Sequence, residues 1–327
     1  MQLLKFHPIL KHALWGGRRL RSVLNKPLGP DSDYAESWDV ADLPGDISIV
    51  SRCRLAGTSL RQLVESDPDT LLGSQASFGR FPLLIKFLDA SKRLSIQVHP
   101  SAAMAGRRPE VTTGKAETWV VLQADPGSRV YAGLKPGVDA QTLREAARGP
   151  EIVDCLHSYT VQKGDCISLL PGTVHAIGEG LLLAEVQEPN NVTYRLSDWG
   201  RVDAHGRPRE LHLDLALEAT NFNLGPVNPV TPIIVDGDES HQRLVATQHF
   251  VVDRHVAAKA WKPADDNRPH VLIQLAGSST VTTHDDECSL QLGETVVLPA
   301  SRPEATVVSD EDSILLDCWV DELRIGC

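Results

Sequence analysis

The middle of the chain contains short, mostly apolar runs that are each closed by Gly, Pro or Asp. Runs of this length, rich in Val, Ile and Leu and bounded by turn residues, are typical of buried β-strands. We therefore predict that short strands form the core. The predicted strands are 82–88, 94–99, 117–122 and 166–170.

Three other segments have the residue spacing and composition of helices. Their apolar residues recur at intervals of three or four, as expected for one buried helix face. We predict that these helices decorate the β core. The segments are 59–66, 139–148 and 210–220.

From about Asn228 the chain becomes loop-like, and strand-like pieces then resume. Residues 293–299 (GETVVLP) echo residues 164–171 (GDCISLLP), because each has a glycine-acid pair, an apolar strand and a closing proline. The earlier copy is followed by His175, and the later one by no histidine. We predict a second all-β unit without metal ligands. Its strands are 244–254, 271–275, 295–299 and 313–319.

Length, charge and cysteine use narrow the class of protein. A chain of 327 residues fits two domains better than one. A formal charge of −11 argues against a nucleic-acid or anionic-membrane partner, and no apolar run reaches the roughly 18 residues of a membrane span. Six scattered cysteines without a CxxC pair indicate free thiols. We expect a cytoplasmic protein. If its ligand is an anion, binding must depend on a few local Arg or Lys side chains.

Four polar residues at strand ends form the strongest chemical signal. Gln97 and His99 are two positions apart on one predicted strand, so their side chains point to the same face. Glu117 opens the next strand, and His175 follows a Pro-Gly turn after another. Two imidazoles, a carboxylate and an amide oxygen suit a divalent ion such as Zn²⁺. On spacing alone, a metal site and a set of structural polar residues remain equally open.

Several strings in this order and spacing resemble the type I phosphomannose isomerases, especially their short bacterial branch. The resemblance extends from Trp15 to Ala219 and becomes loose beyond that point. Matches in several separate motifs are far more specific than any one of them. The strings are 82–90 (PLLIKFLDA), 94–100 (LSIQVHP), 115–117 (KAE), 171–176 (PGTVHA) and 193–201 (TYRLSDWGR).

The resemblance implies a mainly β fold with two cupin-type jelly-roll barrels and additional helices. Residues 1–225 would be the catalytic domain with helical insertions, and residues 226–327 a second cupin-like domain lacking metal ligands. It also implies one zinc ion per chain and a sugar-phosphate substrate, with mannose 6-phosphate and fructose 6-phosphate interconverted. A monomer is favoured. The implied zinc ligands are Gln97, His99, Glu117 and His175.

The same resemblance supplies roles for further polar residues. Interconversion of an aldose and a ketose needs a base at the substrate carbon and stabilisation of a cis-enediolate. Glu185 matches an acidic active-site position of the family and is the first candidate for the base. Lys115 matches an active-site lysine that would bind the substrate or move protons. Arg195 matches an arginine that would hold the enediolate or the phosphate, and Ser95 a serine of the phosphate contact.

One departure from the family and three alternative functions remain. Asn191 stands where family members usually carry an aspartate that has been considered for proton transfer, and an amide cannot act as a base.

The three alternative functions are a metal-holding protein that binds a sugar phosphate without turnover, a metal-dependent oxygenase, and an isomerase of another hexose phosphate. Cupin-type folds host several chemistries, so the fold alone does not decide between them.

Overall fold

A computed structural model describes residues 1–203 and 205–321 of the chain. Strands dominate it, and the helices are short. Along the first two thirds of the chain the helices are α1 (Arg19–Ser22), α2 (Leu60–Ser66), α3 (Pro68–Leu72), α4 (Ala140–Ala146) and α5 (Leu213–Ala219). The strands of the same part are β1 (Ile9–Gly17), β2 (Tyr34–Val40), β3 (Asp42–Leu43), β4 (Asp46–Ile47), β5 (Leu84–Ala90), β6 (Ile96–Val98), β7 (Glu117–Ala124), β8 (Arg129–Leu134), β9 (Leu156–Thr160), β10 (Cys166–Leu169), β11 (His175–Ile177), β12 (Leu181–Gln187) and β13 (Tyr194–Ser197).

Two antiparallel sheets pack face to face in this part of the chain. One has the strand order β1-β2-β5-β12-β7-β10 and the other β13-β6-β11-β8-β9. Side chains from both sheets form a common core, among them Leu88 and Trp119 from the first sheet and Val130 and Ile177 from the second. Helices α4 and α5 cover the outer face of the second sheet. The arrangement is a double-sheet jelly roll.

A second pair of sheets follows, with the orders β14-β15-β16-β23-β18-β21 and β17-β22-β19-β20. The predicted mainly β, cupin-type architecture is confirmed, although neither pair of sheets closes into a continuous barrel. The strands of this part are β14 (Ile233–Val235), β15 (Asp238–Ala246), β16 (Val251–Val256), β17 (Ala260–Trp261), β18 (His270–Ala276), β19 (Ser278–Thr282), β20 (Glu287–Gln291), β21 (Thr295–Leu298), β22 (Thr306–Ser309) and β23 (Ile314–Trp319).

The first residues of the chain pack against the second pair of sheets. Leu4 and Val297 exchange two backbone hydrogen bonds, with N···O distances of 2.9 and 2.8 Å. A large apolar cluster also joins residues of both parts, such as Leu71, Val252 and Leu316. The division into domains 1–225 and 226–327 stays a prediction.

Most predicted elements form, with shifted ends. Residues 244–254 were expected as one strand, but a turn in which Thr247 N donates to Phe250 O separates β15 from β16.

The five cysteines within the described residues have free thiols, while Cys327 lies outside them. No helix in the described ranges is long and apolar enough to span a membrane.

Candidate metal centre and active site

Strand pairing brings the predicted site residues together from both sheets of the first jelly roll. His175 lies opposite Gln97 on one neighbouring strand, and Arg195 lies opposite Gln97 on the other. Glu117 opens β7 in the facing sheet. Glu185 lies on β12, the neighbour of β7. Residues that are far apart in sequence therefore meet in the interior between the sheets.

Two histidines and one glutamate converge on a single point. His99 Nε2 lies 3.1 Å from Glu117 Oε2, and His175 Nε2 lies 3.2 Å from Glu117 Oε1. One ligand atom from each of the three residues lies within 4.8 Å of the others, and all three residues are buried. Imidazole nitrogens and carboxylate oxygens at this separation can hold a metal ion.

The two imidazole rings are fixed so that their Nε2 atoms face the carboxylate. His99 Nδ1 lies 3.0 Å from Val192 O, and His175 Nδ1 lies 2.8 Å from Thr173 O. Since a carbonyl oxygen only accepts hydrogen bonds, each Nδ1 carries the proton and each Nε2 keeps its lone pair. Burial, with the nearby charge of Lys115, lowers the pKa of His99 to about 3. The ring is therefore neutral at ordinary pH and able to act as a ligand.

Glu117 is a buried carboxylate that needs positive charge beside it. Neither oxygen accepts a hydrogen bond of good geometry, although Lys115 Nζ lies 3.1 Å from Oε2. Burial opposes ionisation, yet Lys115 and the two histidines outweigh it and keep the pKa of Glu117 well below its usual range. Lys115 Nζ also lies 2.8 Å from His99 Nε2. The Lys115 ammonium group therefore lies at a position where Glu117 and His99 stabilise positive charge. The donor set fits a divalent cation.

Gln97 adjoins this group. Its Nε2 lies 3.3 Å from His175 Nε2, and its Oε1 accepts a hydrogen bond of 3.0 Å from Ser95 Oγ. Rotation of the amide by half a turn exchanges oxygen and nitrogen at these positions. Gln97 can therefore offer an oxygen next to His175.

A cavity of about 120 Å³ opens beside the three buried side chains. Most of the site residues predicted from the sequence line this cavity. His99 and His175 are not in the lining but contact Glu117, which is. Asn191 also lies in its wall. The predicted residues in the lining are Ser95, Gln97, Lys115, Glu117, Glu185 and Arg195; the others are Trp15, Glu36, Lys86, Leu88, Leu94, Trp119, Ile177, Asn191, Thr193 and Arg209.

Lys86 is the main functional group that sequence reasoning overlooked. Its Nζ lies 3.0 Å from Glu185 Oε2 and 3.7 Å from Glu36 Oε2. Burial opposes its charge, but the two carboxylates outweigh burial and raise the pKa of Lys86. Trp119 Nε1 donates to Glu185 Oε1 at 3.0 Å. A lysine inside the apolar run 82–88 is the signal that could have found it, because buried lysines are rare unless paired.

Arg195 is half-buried and bonded to the strand beside it. Its Nε donates to Ser95 Oγ at 3.2 Å, and its Nη1 donates to Glu210 O at 2.9 Å. Burial and the nearby positive charge of Arg209 lower its pKa. Arg209 was also missed from the sequence, since its approach to the cavity depends on how the loop after β13 folds back.

Comparisons with known proteins place the chain in a family. A model of the type I phosphomannose isomerase catalytic domain matches residues 3–130. The mannose-6-phosphate isomerase of Streptococcus mutans is 31% identical over 289 residues, which cover 88% of this chain and 89% of that protein.

Solved structures agree with this assignment. The crystal structure of the mannose 6-phosphate isomerase from Bacillus subtilis has a TM-score of 0.88 at 26% identity, covering 97% of this chain and 99% of the other. A mannose 6-phosphate isomerase bound with zinc and yttrium shares the fold at 16% identity, with a TM-score of 0.78 and coverage of 98% and 100%. The chain belongs to the type I phosphomannose isomerase family.

Proposed function

We propose that the protein interconverts mannose 6-phosphate and fructose 6-phosphate by proton transfer between neighbouring carbons. The observation that carries the proposal is the buried group of His99, Glu117 and His175 beside a cavity that also contains Glu185 and Lys115. A protein that only binds a sugar phosphate needs metal ligands and a cationic group for the anion, but it has no need of a positioned carboxylate such as Glu185. Membership of the isomerase family supports the same function.

We infer that the resident metal is one zinc ion per chain, held by Gln97, His99, Glu117 and His175. Two imidazoles, a carboxylate and an amide oxygen match the ligand types that zinc accepts. The zinc found in the solved relative with this fold supports the same choice. A bound zinc ion supplies a Lewis acid that stabilises negative charge on the substrate oxygens.

Glu185 is the proposed base that takes the proton from one substrate carbon and returns it to the next. Its carboxylate is paired with Lys86 and accepts a hydrogen bond from Trp119, so it is held in one position. Asn191 in the same cavity cannot accept a proton in this way. The aspartate for which it substitutes in the family is therefore not required by this assignment.

Lys115 and Arg195 are the proposed electrophilic groups. Lys115 Nζ lies at the metal end of the cavity, where an ammonium favours charge on the reacting oxygens. Arg195 offers a planar guanidinium to the substrate anion. Ser95 accepts a hydrogen bond from Arg195 and donates to Gln97, so it links the substrate end of the cavity to the metal end.

A metal-exchange experiment tests this function. The protein is stripped with a chelator, reloaded with zinc and assayed for fructose 6-phosphate formation from mannose 6-phosphate in a coupled assay. We expect zinc to restore turnover in the wild type and in the control His284→Ala, an exposed histidine, but not in His99→Ala. Full turnover in the stripped protein, or in His99→Ala, would exclude a metal at this site from the reaction.

A further inference from the structure

A second, larger cavity of about 440 Å³ lies next to the metal-end cavity and is rich in arginine. Arg209 belongs to the linings of both cavities. Asp198 is the one acidic residue in the lining of the second cavity. This surplus of positive charge occurs in a chain with a net charge of −11, so it is local. The arginines of the lining are Arg93, Arg148, Arg201 and Arg209.

Asp198 fixes two of these arginines in place. Arg209 Nε donates to Asp198 Oδ2 at 2.8 Å, and Arg209 Nη2 donates to the other carboxylate oxygen. Arg201 Nη2 also binds that second oxygen. Hydrogen bonds from the two arginines outweigh the burial of Asp198 and lower its pKa. One buried carboxylate thus anchors Arg209 through one edge of its guanidinium, and the Nη1 group has no hydrogen-bond partner among the described residues.

Arg209 and Arg195 both line the small metal-end cavity. Burial and the positive charges of Arg209 and Arg201 lower the pKa of Arg195, and the Asp198 carboxylate opposes this only in part. Within the described ranges no carboxylate forms an ion pair with Arg195, whose hydrogen bonds go to Ser95 Oγ and Glu210 O. Asp198 pairs with both Arg201 and Arg209, so one carboxylate serves two arginines and positive charge remains in excess around Arg195. Arg195 and Arg209 are therefore arranged for an anionic ligand.

The course of β6 separates the Arg195 contact from His99. Ser95, to which Arg195 is bonded, directly precedes β6, His99 directly follows it, and Gln97 lies in the middle of the strand. Four residues of an extended strand span about 13 Å. In a hexose 6-phosphate the phosphate is likewise at the opposite end of the carbon chain from the reacting carbons.

We propose that Arg209, together with Arg195, binds the phosphate group of the substrate at the boundary between the two cavities, and that Asp198 is the residue that positions Arg209. This inference rests on the proposed function, because it assumes a phosphorylated sugar at the metal end. Arg209 then determines specificity for the phosphate and takes no part in proton transfer.

The test compares Arg209→Gln, Arg209→Lys and Asp198→Asn with the wild type. As a control, Arg207→Gln removes an exposed arginine of the same loop that pairs with Asp203. The readouts are KM and kcat for mannose 6-phosphate and the inhibition constant of inorganic phosphate. Loss of a charge-assisted hydrogen bond pair should raise KM and the phosphate inhibition constant of Arg209→Gln by about 10- to 100-fold, with kcat within a few-fold.

Arg209→Lys keeps the positive charge but loses the planar guanidinium that can donate two parallel hydrogen bonds. Its KM and phosphate inhibition constant should therefore fall between those of the wild type and Arg209→Gln. Asp198→Asn should raise KM because Arg209 loses its anchor. The inference is overturned if KM and the phosphate inhibition constant of Arg209→Gln and Arg209→Lys stay within two-fold of the wild type, or if only kcat falls.

Calorimetric titration with inorganic phosphate separates this inference from the proposed function. A wild type that shows no turnover but binds phosphate, with weaker binding in Arg209→Gln and Arg209→Lys than in Arg207→Gln, would contradict the isomerase assignment and support the anion site. Normal turnover of the wild type, with phosphate binding unchanged in Arg209→Gln and Arg209→Lys, would support the isomerase assignment and contradict the anion site.

Discussion

At the scale of single residues, the site depends on charges that are buried in pairs. Lys86 is enclosed with Glu185 and Glu36, and Lys115 with Glu117. Removing one member of such a pair leaves an uncompensated charge in the interior. Substituting one member of a buried pair should therefore lower the free energy of unfolding by more than substituting one member of a surface ion pair.

Lys86→Met provides a direct test of this pairing. We expect it to lower the free energy of unfolding by about 3–5 kcal/mol and to reduce turnover, because Glu185 stays buried without its cation. The same change at the exposed Lys92 should leave stability within about 0.5 kcal/mol of the wild type. Urea unfolding measures both, and a loss below about 1 kcal/mol for Lys86→Met would show that the pair is solvated in the folded protein.

His270 gives a residue-scale prediction of pH dependence in the second pair of sheets. Its Nδ1 lies 2.7 Å from Asp317 Oδ1, and its Nε2 lies 3.3 Å from Asp266 Oδ1. Burial opposes protonation, but the two carboxylates outweigh it and raise the pKa to about 9 from the ordinary 6.5. A pKa raised by folding contributes stability that is complete below about pH 6.5 and is lost as pH rises through about 9.

The stability advantage of the wild type over His270→Gln should therefore shrink as the pH rises from about 6 to about 10. Urea midpoints measured across this window give the comparison. A constant difference between the two proteins would mean that His270 is not protonated in the folded state.

The sequence predicts some of the site residues and misses others. The i and i+2 positions of Gln97 and His99 predicted only that their side chains share a face of the strand. The family resemblance was needed to group them with Glu117 and His175. Lys86, Trp119 and Arg209 were missed because their partners come from strands and loops distant in sequence. Pairings of that kind depend on strand register in three dimensions, which local patterns do not specify.

At the scale of elements, Glu188 joins three parts of the chain. It directly follows β12, its Oε2 accepts a hydrogen bond of 2.7 Å from Ala116 N, and its Oε1 lies 3.1 Å from His249 Nδ1 in the turn between β15 and β16. Ala116 lies between Lys115 and Glu117. The second pair of sheets therefore contacts the segment that carries two site residues.

Glu188→Ala should lower zinc retention and turnover by about 10- to 100-fold, as is usual when a group that orients metal ligands is removed. Glu188→Gln keeps an acceptor for Ala116 N, so it should retain most of the activity. Metal analysis and the coupled assay distinguish the two variants. Equal activity in Glu188→Ala and wild type would mean that the strand pairing of β7 alone fixes Glu117.

Element types were predicted better than element ends. Residues 82–88 and 117–122 were recognised because each is a mostly apolar run, which matches a strand buried on both faces. The helix predicted over 210–220 begins only at Leu213, since the preceding residues support Arg195 through Glu210 O. A tertiary contact of this kind overrides the local helical pattern.

At the scale of the whole molecule, the two pairs of sheets share apolar surface. Leu4 pairs with Val297, and one buried cluster contains Leu20, Leu71, Val252 and Leu316. Separating the parts would expose this cluster to water, which is unfavourable in proportion to the apolar area. The echo of residues 164–171 in 293–299 indicated two similar units, but not the surface between them.

We therefore expect the fragment 1–225 to aggregate or to lack fixed tertiary structure, and the full chain to unfold in one thermal transition. Near-ultraviolet circular dichroism and calorimetry provide the measurements. A monomeric fragment with a cooperative transition of its own would contradict the shared core and would establish residues 1–225 as an independent domain.

The proposed role of Glu185 is to transfer the proton in a metal-dependent isomerisation. The most direct test is formation of fructose 6-phosphate from mannose 6-phosphate by zinc-loaded wild type and Glu185→Gln, with zinc content measured on the same samples. We predict turnover in the wild type and a loss of at least about 100-fold in Glu185→Gln with zinc retained. Zinc-loaded wild type without turnover would contradict the proposed isomerisation, and Glu185→Gln within a few-fold of wild type would contradict the role of Glu185.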